Sequence, residues 1–185
     1  HLLIWPGRDD ANNHLHVDIL ADVRAVEAAI EGQEPAATID ALKATLKTNV
    51  DASIAEWASK WPVYEWDVIN ETLSNFRIQN LLGDGEMAEW FKIGAANVVL
   101  PNCNLLLNEF QIISANSQTS GSQGYQNRST RFKANIDRIL ADGGPLNKIG
   151  FQSRFKFEHP DPAIIYNRLE DFDSTYGLLM TGTAF

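Results

Sequence analysis

A chain of 185 residues with a formal charge of −9 and a hydrophobic fraction of 44% has the length and apolar content of one globular domain. The acidity speaks against nucleic acid and anionic membrane as partners, because phosphate neutralisation needs clustered Lys and Arg. No apolar run reaches the roughly 20 residues that span a bilayer, and a lone cysteine, Cys103, rules out an internal disulfide and gives no Cys-based metal site.

The chain opens on His1-Leu2-Leu3-Ile4-Trp5, an apolar run stopped by Pro6-Gly7, which predicts a strand and its exit. It begins there without Met, so we expect sequence upstream, and the lack of a signal peptide carries no weight. Residues 8–16 are polar and aperiodic, as in a long loop. Ile19, Val23, Val26 and Ile30 then share one helical face, and Thr38 to Trp61 is the clearest helix, with Ile39, Leu42, Leu46, Val50, Ile54 and Trp57 recurring every three or four residues. Thr38 is the expected N-cap. Pro62 bounds a strand ending in Asn70-Glu71, rich in aromatic and β-branched residues (Tyr64, Trp66, Val68, Ile69), and a polar loop follows.

Gly83-Asp84-Gly85 precedes a helix over 86–99 with Met87, Trp90, Phe91 and Ala95 inward. Residues 104–110 are almost wholly apolar, as in a strand covered on both faces. Residues 114–124, rich in Ser, Gln and Gly, read as a flexible loop. A helix over 128–140 with Phe132, Ile136, Ile139 and Leu140 inward leads to a strand and exit over 148–155. A last helix over 161–172 has Pro162 in its first turn and Ile164, Ile165, Leu169 and Phe172 inward. Residues 176–185 form the final strand.

Strand–helix alternation of this kind predicts βαβ units and a parallel sheet. The fold class is α/β, with about five strands in that sheet. In a (β/α)8 TIM barrel, one architecture of this class, a carboxylate at the C-terminal end of a strand sits where the chemistry is done. The structural alternatives are a solvated strand end for Glu71, a core aromatic for Trp5 and a polar strand cap for Glu109.

The hexapeptide Trp66-Asp67-Val68-Ile69-Asn70-Glu71 resembles the acid/base motif of the family 10 glycoside hydrolases, the endo-β-1,4-xylanases. The resemblance runs from that family's third strand to its seventh and implies a partial (β/α)8 TIM barrel with about five of its eight strands, so residues 1–185 would form one catalytic domain, incomplete at both ends. It implies Glu71 as acid/base, protonating the leaving glycosidic oxygen, and Asn70 as donor to the sugar 2-hydroxyl. It also implies that His1 and Trp5 line the sugar subsite, and that Glu109 stands behind the catalytic carboxylates. Gln152 fits the sixth-strand pattern, while Arg154 stands where the family has His and cannot titrate near neutrality. Thr183-Ala184-Phe185 falls where the family carries Thr-Glu-hydrophobic, so Ala184 takes the place of the nucleophile. Retaining hydrolysis uses two carboxylates about 5–5.5 Å apart. With a methyl group at 184, the chain is expected to be nearly inactive.

The resemblance further implies xylan or xylo-oligosaccharide as substrate, no cofactor, secretion, and a monomer when complete. The alternatives are a non-catalytic carbohydrate-binding barrel, which the departures at Ala184 and Arg154 favour, and an unrelated barrel such as a family 5 hydrolase. No metal site is expected, since His1, His14, His16 and His159 show no ligand spacing. Two glycosylation sequons occur, at Asn70 and Asn127; the second is the surface one.

Overall fold

The computed structural model describes residues 2–7, 17–115, 124–155 and 160–184. His1, the 8–16 loop with His14 and His16, most of the 114–124 loop, His159 and Phe185 lie outside the described residues. In chain order the elements are β1 (Leu2–Ile4), α1 (Val17–Glu31), α2 (Ala36–Lys60), β2 (Glu65–Asn70), α3 (Arg77–Leu82), α4 (Glu86–Asn97), β3 (Asn104–Glu109), α5 (Tyr125–Ala141), β4 (Lys148–Gln152), α6 (Pro162–Tyr176) and β5 (Leu179–Thr183).

The strands lie in the order β1-β2-β3-β4-β5, and every neighbouring pair is parallel. Each crossover moves one strand onward and none reverses. Right-handed crossovers running one way put every helix on the same face, which is the arrangement of a barrel wall rather than of a sheet covered on both sides. On the helix side, Trp66, Val68, Ile69, Leu105, Leu107, Ile149 and Phe151 join one core with residues of α1, α2, α4, α5 and α6. Phe132, Phe151 and Phe172 bind α5, β4 and α6 together, with centroids 6.3, 5.9 and 5.1 Å apart.

The opposite face is polar. Lys148 Nζ donates to Glu65 Oε1, and Asn108 Nδ2 donates to Asp67 Oδ2 at 3.2 Å. The expectation that β3 is apolar on both faces is therefore corrected. Leu106, in register with Asp67 and Lys148, is the one apolar residue of β3 on this side. A register shift between Asp67 and Ile69 decides the geometry here. It lets Val68 and Ile69 both enter the helix-side core, so Asn70 returns to the face that carries Asp67. Strict alternation would have turned Asn70 into the helices.

Several local expectations give way. α2 starts at Ala36 with Pro35 at the cap position. The Thr38 and Ile39 amides donate to the Pro35 carbonyl, so Thr38 lies inside the first turn and is not the N-cap. The buried stripe of α2 runs Leu46, Val50, Ile54, Ala58; Trp57 is 42% exposed, with the Lys60 ammonium 4.5 Å from its ring centroid. Ile30, Ala95 and Leu140 are also exposed, with Ala29, Gly94 and Ile139 buried beside them. The loop expected after Glu71 contains α3.

Two glycines have opposite surroundings. A Cβ on Gly150 would lie 2.6 Å from Asn108 Oδ1 and 3.1 Å from Asn108 Cβ, whereas one on Gly94, inside α4, would meet Leu3 Cδ1 at 3.4 Å, an ordinary contact. Gly150→Ala should cost about 1–3 kcal/mol by displacing Asn108. Gly94→Ala should leave stability unchanged or raise it by up to about 1 kcal/mol. Thermal melts of the two variants check the opposite signs.

Candidate active site

The C-terminal ends of β2, β3, β4 and β5 converge on one hydrogen-bonded cluster. Glu71 follows the last residue of β2 with φ 58, a left-handed conformation that side-chain-bearing residues adopt only under restraint. The restraints are visible. The Glu71 amide donates to the Asn108 carbonyl at 2.8 Å, and the Glu71 carbonyl accepts from the Ser74 and Asn75 amides at 3.0 and 2.8 Å. Its half-buried carboxylate accepts from Gln152 Nε2 at 2.8 Å on one oxygen and from Asn75 Nδ2 at 3.1 Å on the other.

Asn70 is buried. Its Oδ1 accepts from Asn108 Nδ2 at 3.1 Å and Gln152 Nε2 at 3.2 Å. That leaves the Nδ2 amide as the side chain's free donor among the described residues. Asn108 Oδ1 in turn accepts from Thr183 Oγ1 at 2.8 Å, which ties in β5. The Gln152 side chain, from β4, reaches β2 across β3. Side chains of alternate strands meet in this way only on the concave side of a curved sheet.

Behind the rim lies Glu109, fully buried at 0% exposure. Its Oε2 accepts from the Leu73 amide at 2.9 Å, and its Oε1 accepts from the Phe110 amide at 3.0 Å and from Arg128 Nη2 at 2.8 Å. Arg128, also buried, donates to the Phe110 carbonyl and lies 4.3 Å from the Phe110 ring centroid. Burial pushes the Glu109 carboxyl up to about 7, and the nearby Glu71 charge acts the same way, while the Leu73 and Phe110 amides and Arg128 pull it down. Burial also lowers Arg128. Glu109 thus grips the Leu73 amide, two residues past Glu71, and fixes the turn that aims Glu71.

The structure brings together Glu71, Asn70, Gln152 and, behind them, Glu109. Trp5 is half-buried just past β1, whose Ile4 is in register with Ile69, so it stands at the same rim. Ala184 follows Thr183, which is in register with Gln152, and is exposed with φ 48. Arg154 is exposed beyond the end of β4. His1 is outside the described residues. Asn75, Asn108 and Arg128 were not foreseen as site residues; the one signal for them was Asn108, a polar residue inside an apolar strand. Three of the four non-glycine residues with positive φ among the described residues are Glu71, Gln111 and Ala184, at the exits of β2, β3 and β5. Among the described residues, no group of three or more His, Cys, Asp or Glu is placed to hold a metal ion, and no helix is long and apolar enough to cross a membrane.

The model of glycosyl hydrolase family 10 matches residues 28–181. Endo-1,4-beta-xylanase C of Paenibacillus barcinonensis is 26% identical over 141 residues, 68% of this chain and 12% of that protein. Endo-1,4-beta-xylanase D of Talaromyces funiculosus is 30% identical over 119 residues, 62% of this chain and 26% of that protein. The fold is similar to that of xylanase XynB from Paenibacillus barcinonensis, with TM-score 0.61 and 18% identity, over 99% of this chain and 48% of that one. It is similar also to a thermostable mutant of xylanase Xyn10A from Cellvibrio japonicus, with TM-score 0.62 and 18% identity, over 86% and 52% of the two chains. The chain therefore spans about half the length of these solved structures and less of the two sequence relatives. Its five parallel strands are a partial (β/α)8 barrel.

The Glu109 site generates a pH prediction. Its folded pKa, about 7, lies above the ordinary 4.5, so the folded state holds a proton that the unfolded chain releases first. Stability from this group is full below about pH 4.5 and falls as pH rises to about 7, by about 3 kcal/mol. Glu109→Gln should abolish that part of the slope, which urea unfolding of both proteins between these pH values measures.

Proposed function

The chain belongs to glycosyl hydrolase family 10, and on that premise we propose that its rim is a retaining xylan-hydrolysing site from which the attacking carboxylate is missing. Glu71 is the acid/base: it protonates the glycosidic oxygen as the bond to the leaving sugar breaks, then takes a proton from water. Asn70 presents its free amide to the 2-hydroxyl, a contact that tightens in the transition state. Trp5 offers an apolar face to a pyranose ring, and Gln152 holds both Glu71 and Asn70 in place. The observation that carries this reading is the Glu71 carboxylate, half-buried, held by two side-chain amides and strained at the end of a barrel strand.

In retaining hydrolysis a second carboxylate attacks the anomeric carbon to form a glycosyl-enzyme. Ala184 offers a methyl group there, so that step has no nucleophile. The substrate class is β-1,4-xylan or its oligosaccharides, the protein acts outside the cell as a monomer, and residues 1–185 contribute to a single catalytic domain.

A second reading is favoured by the same residue: with Ala184 at the nucleophile position and Arg154 exposed where the family has His, the protein binds xylo-oligosaccharides without cleaving them. The two are separated by one variant of the full-length protein. Ala184→Glu should raise xylan hydrolysis by several orders of magnitude, and Glu71→Gln in that background should remove the gain. A folded Ala184→Glu protein that binds xylo-oligosaccharides and releases no product would establish the binding reading instead.

A further inference from the structure

The helical layer carries a second concavity, distinct from the polar face of the sheet. A groove of about 290 Å³ opens between the loop after Glu71 and helices α3, α4 and α5. Gln79 of α3 lines it, 4% exposed, with its Oε1 buried and without a hydrogen-bond partner among the described residues. A buried amide oxygen left unpaired costs about 1–3 kcal/mol, so a donor brought to it from the groove is favoured. Two guanidinium groups border the same groove. Arg138 is neutralised by Asp84 at 2.7 Å. Arg131 donates to the Leu73 carbonyl at 3.1 Å and has no ion pair among the described residues. The lining is thus net positive on a protein of charge −9. Phe76 supplies an apolar wall.

We propose that this groove is an accessory binding site for a sugar acid, a pyranose carrying one carboxylate. The carboxylate meets Arg131, the groove's cation without a counter-ion among the described residues. A ring hydroxyl donates to Gln79 Oε1 once the side-chain amide turns that oxygen to the groove, a bond that a simple anion cannot make. The C–H face of the ring packs on Phe76. A pyranose matches the space, which is large for acetate or phosphate. Only the choice of a carbohydrate rests on the reading of the rim as a polysaccharide site; the unpaired acceptor and the unneutralised cation stand without it.

The test is a titration of the full-length protein with D-glucuronate, its methyl ester, D-xylose and acetate, followed by calorimetry or by amide shifts. Glucuronate should bind at least tenfold more tightly than the other three. Gln79→Leu should weaken glucuronate at least tenfold while leaving or raising the melting temperature, because it removes an unpaired polar group. Arg131→Gln should weaken it equally, and decides the matter if Gln79→Leu does not fold. Glu71→Gln should leave glucuronate binding unchanged, so this site and the catalytic reading fail separately. Acetate binding as tightly as glucuronate, or a folded Gln79→Leu or Arg131→Gln protein that binds normally, would overturn the proposal.

Discussion

The turn at Glu71 is the constraint on which the rest of the rim depends. A left-handed residue bearing a side chain costs on the order of 1–3 kcal/mol, and the surrounding structure must supply at least that much. It does so from three directions. The backbone of β3 takes the Glu71 amide, the residues after it close a turn on its carbonyl, and Glu109 holds the Leu73 amide from below. Each hydrogen bond contributes about 0.5–1.5 kcal/mol net, so the group outweighs the strain. Glu109 can grip that amide because Arg128 covers its charge. Such a buried pair is weak evidence for stability; its value here is in holding one conformation of a turn.

The polar face of the sheet follows from the winding. When every crossover advances in one direction, the helices can bury one face only, and the other is left to side chains that bond one another. Glu65, Asp67, Asn108 and Lys148 do this along the strands, and Asn70, Gln152 and Thr183 do it at the rim. The register shift at Val68 joins the two levels, because it supplies the helix-side core with two consecutive apolar residues and still delivers Asn70 to the inner face. Gly150 completes the arrangement by leaving the space that the Asn108 side chain fills.

Much of this was legible in the chain. The strands over 65–70, 104–109 and 148–152 are short apolar or β-branched runs bounded by turn residues, and parallel order follows from the helices between them. Glu71, Asn70 and Gln152 were legible as strand-end polar groups. The phase of α2 was not, because Trp57 and Ala58 are adjacent and hydrophobicity favours the wrong one; the four-residue spacing of Leu46, Val50 and Ile54 continues to Ala58, which is buried. α3 has six residues, too few for a period to show. The contacts of Gln152 and Asn108 with Asn70 were illegible for a different reason. Gln152 joins alternate strands through sheet curvature, and Asn108 faces Asn70 only because the register shifts at Val68; neither is encoded in a local pattern. Asn75 is a third case, since its reach to Glu71 depends on the strained turn itself.

Position 184, the proposed place of the attacking carboxylate, is strained in its own right. At φ 48, alanine carries the same Cβ penalty that glutamate would, and only glycine would be at ease there. The backbone at the end of β5 is therefore not relaxed to suit a methyl group. Nor does the remaining network need a carboxylate at 184. Thr183 donates to Asn108, and Gln152 donates to Asn70 and Glu71, none of which involves a side chain at 184. The cluster is centred on Glu71, so under the proposed reading a missing carboxylate at 184 removes a chemical step and leaves in place the hydrogen bonds that hold Glu71 and Asn70.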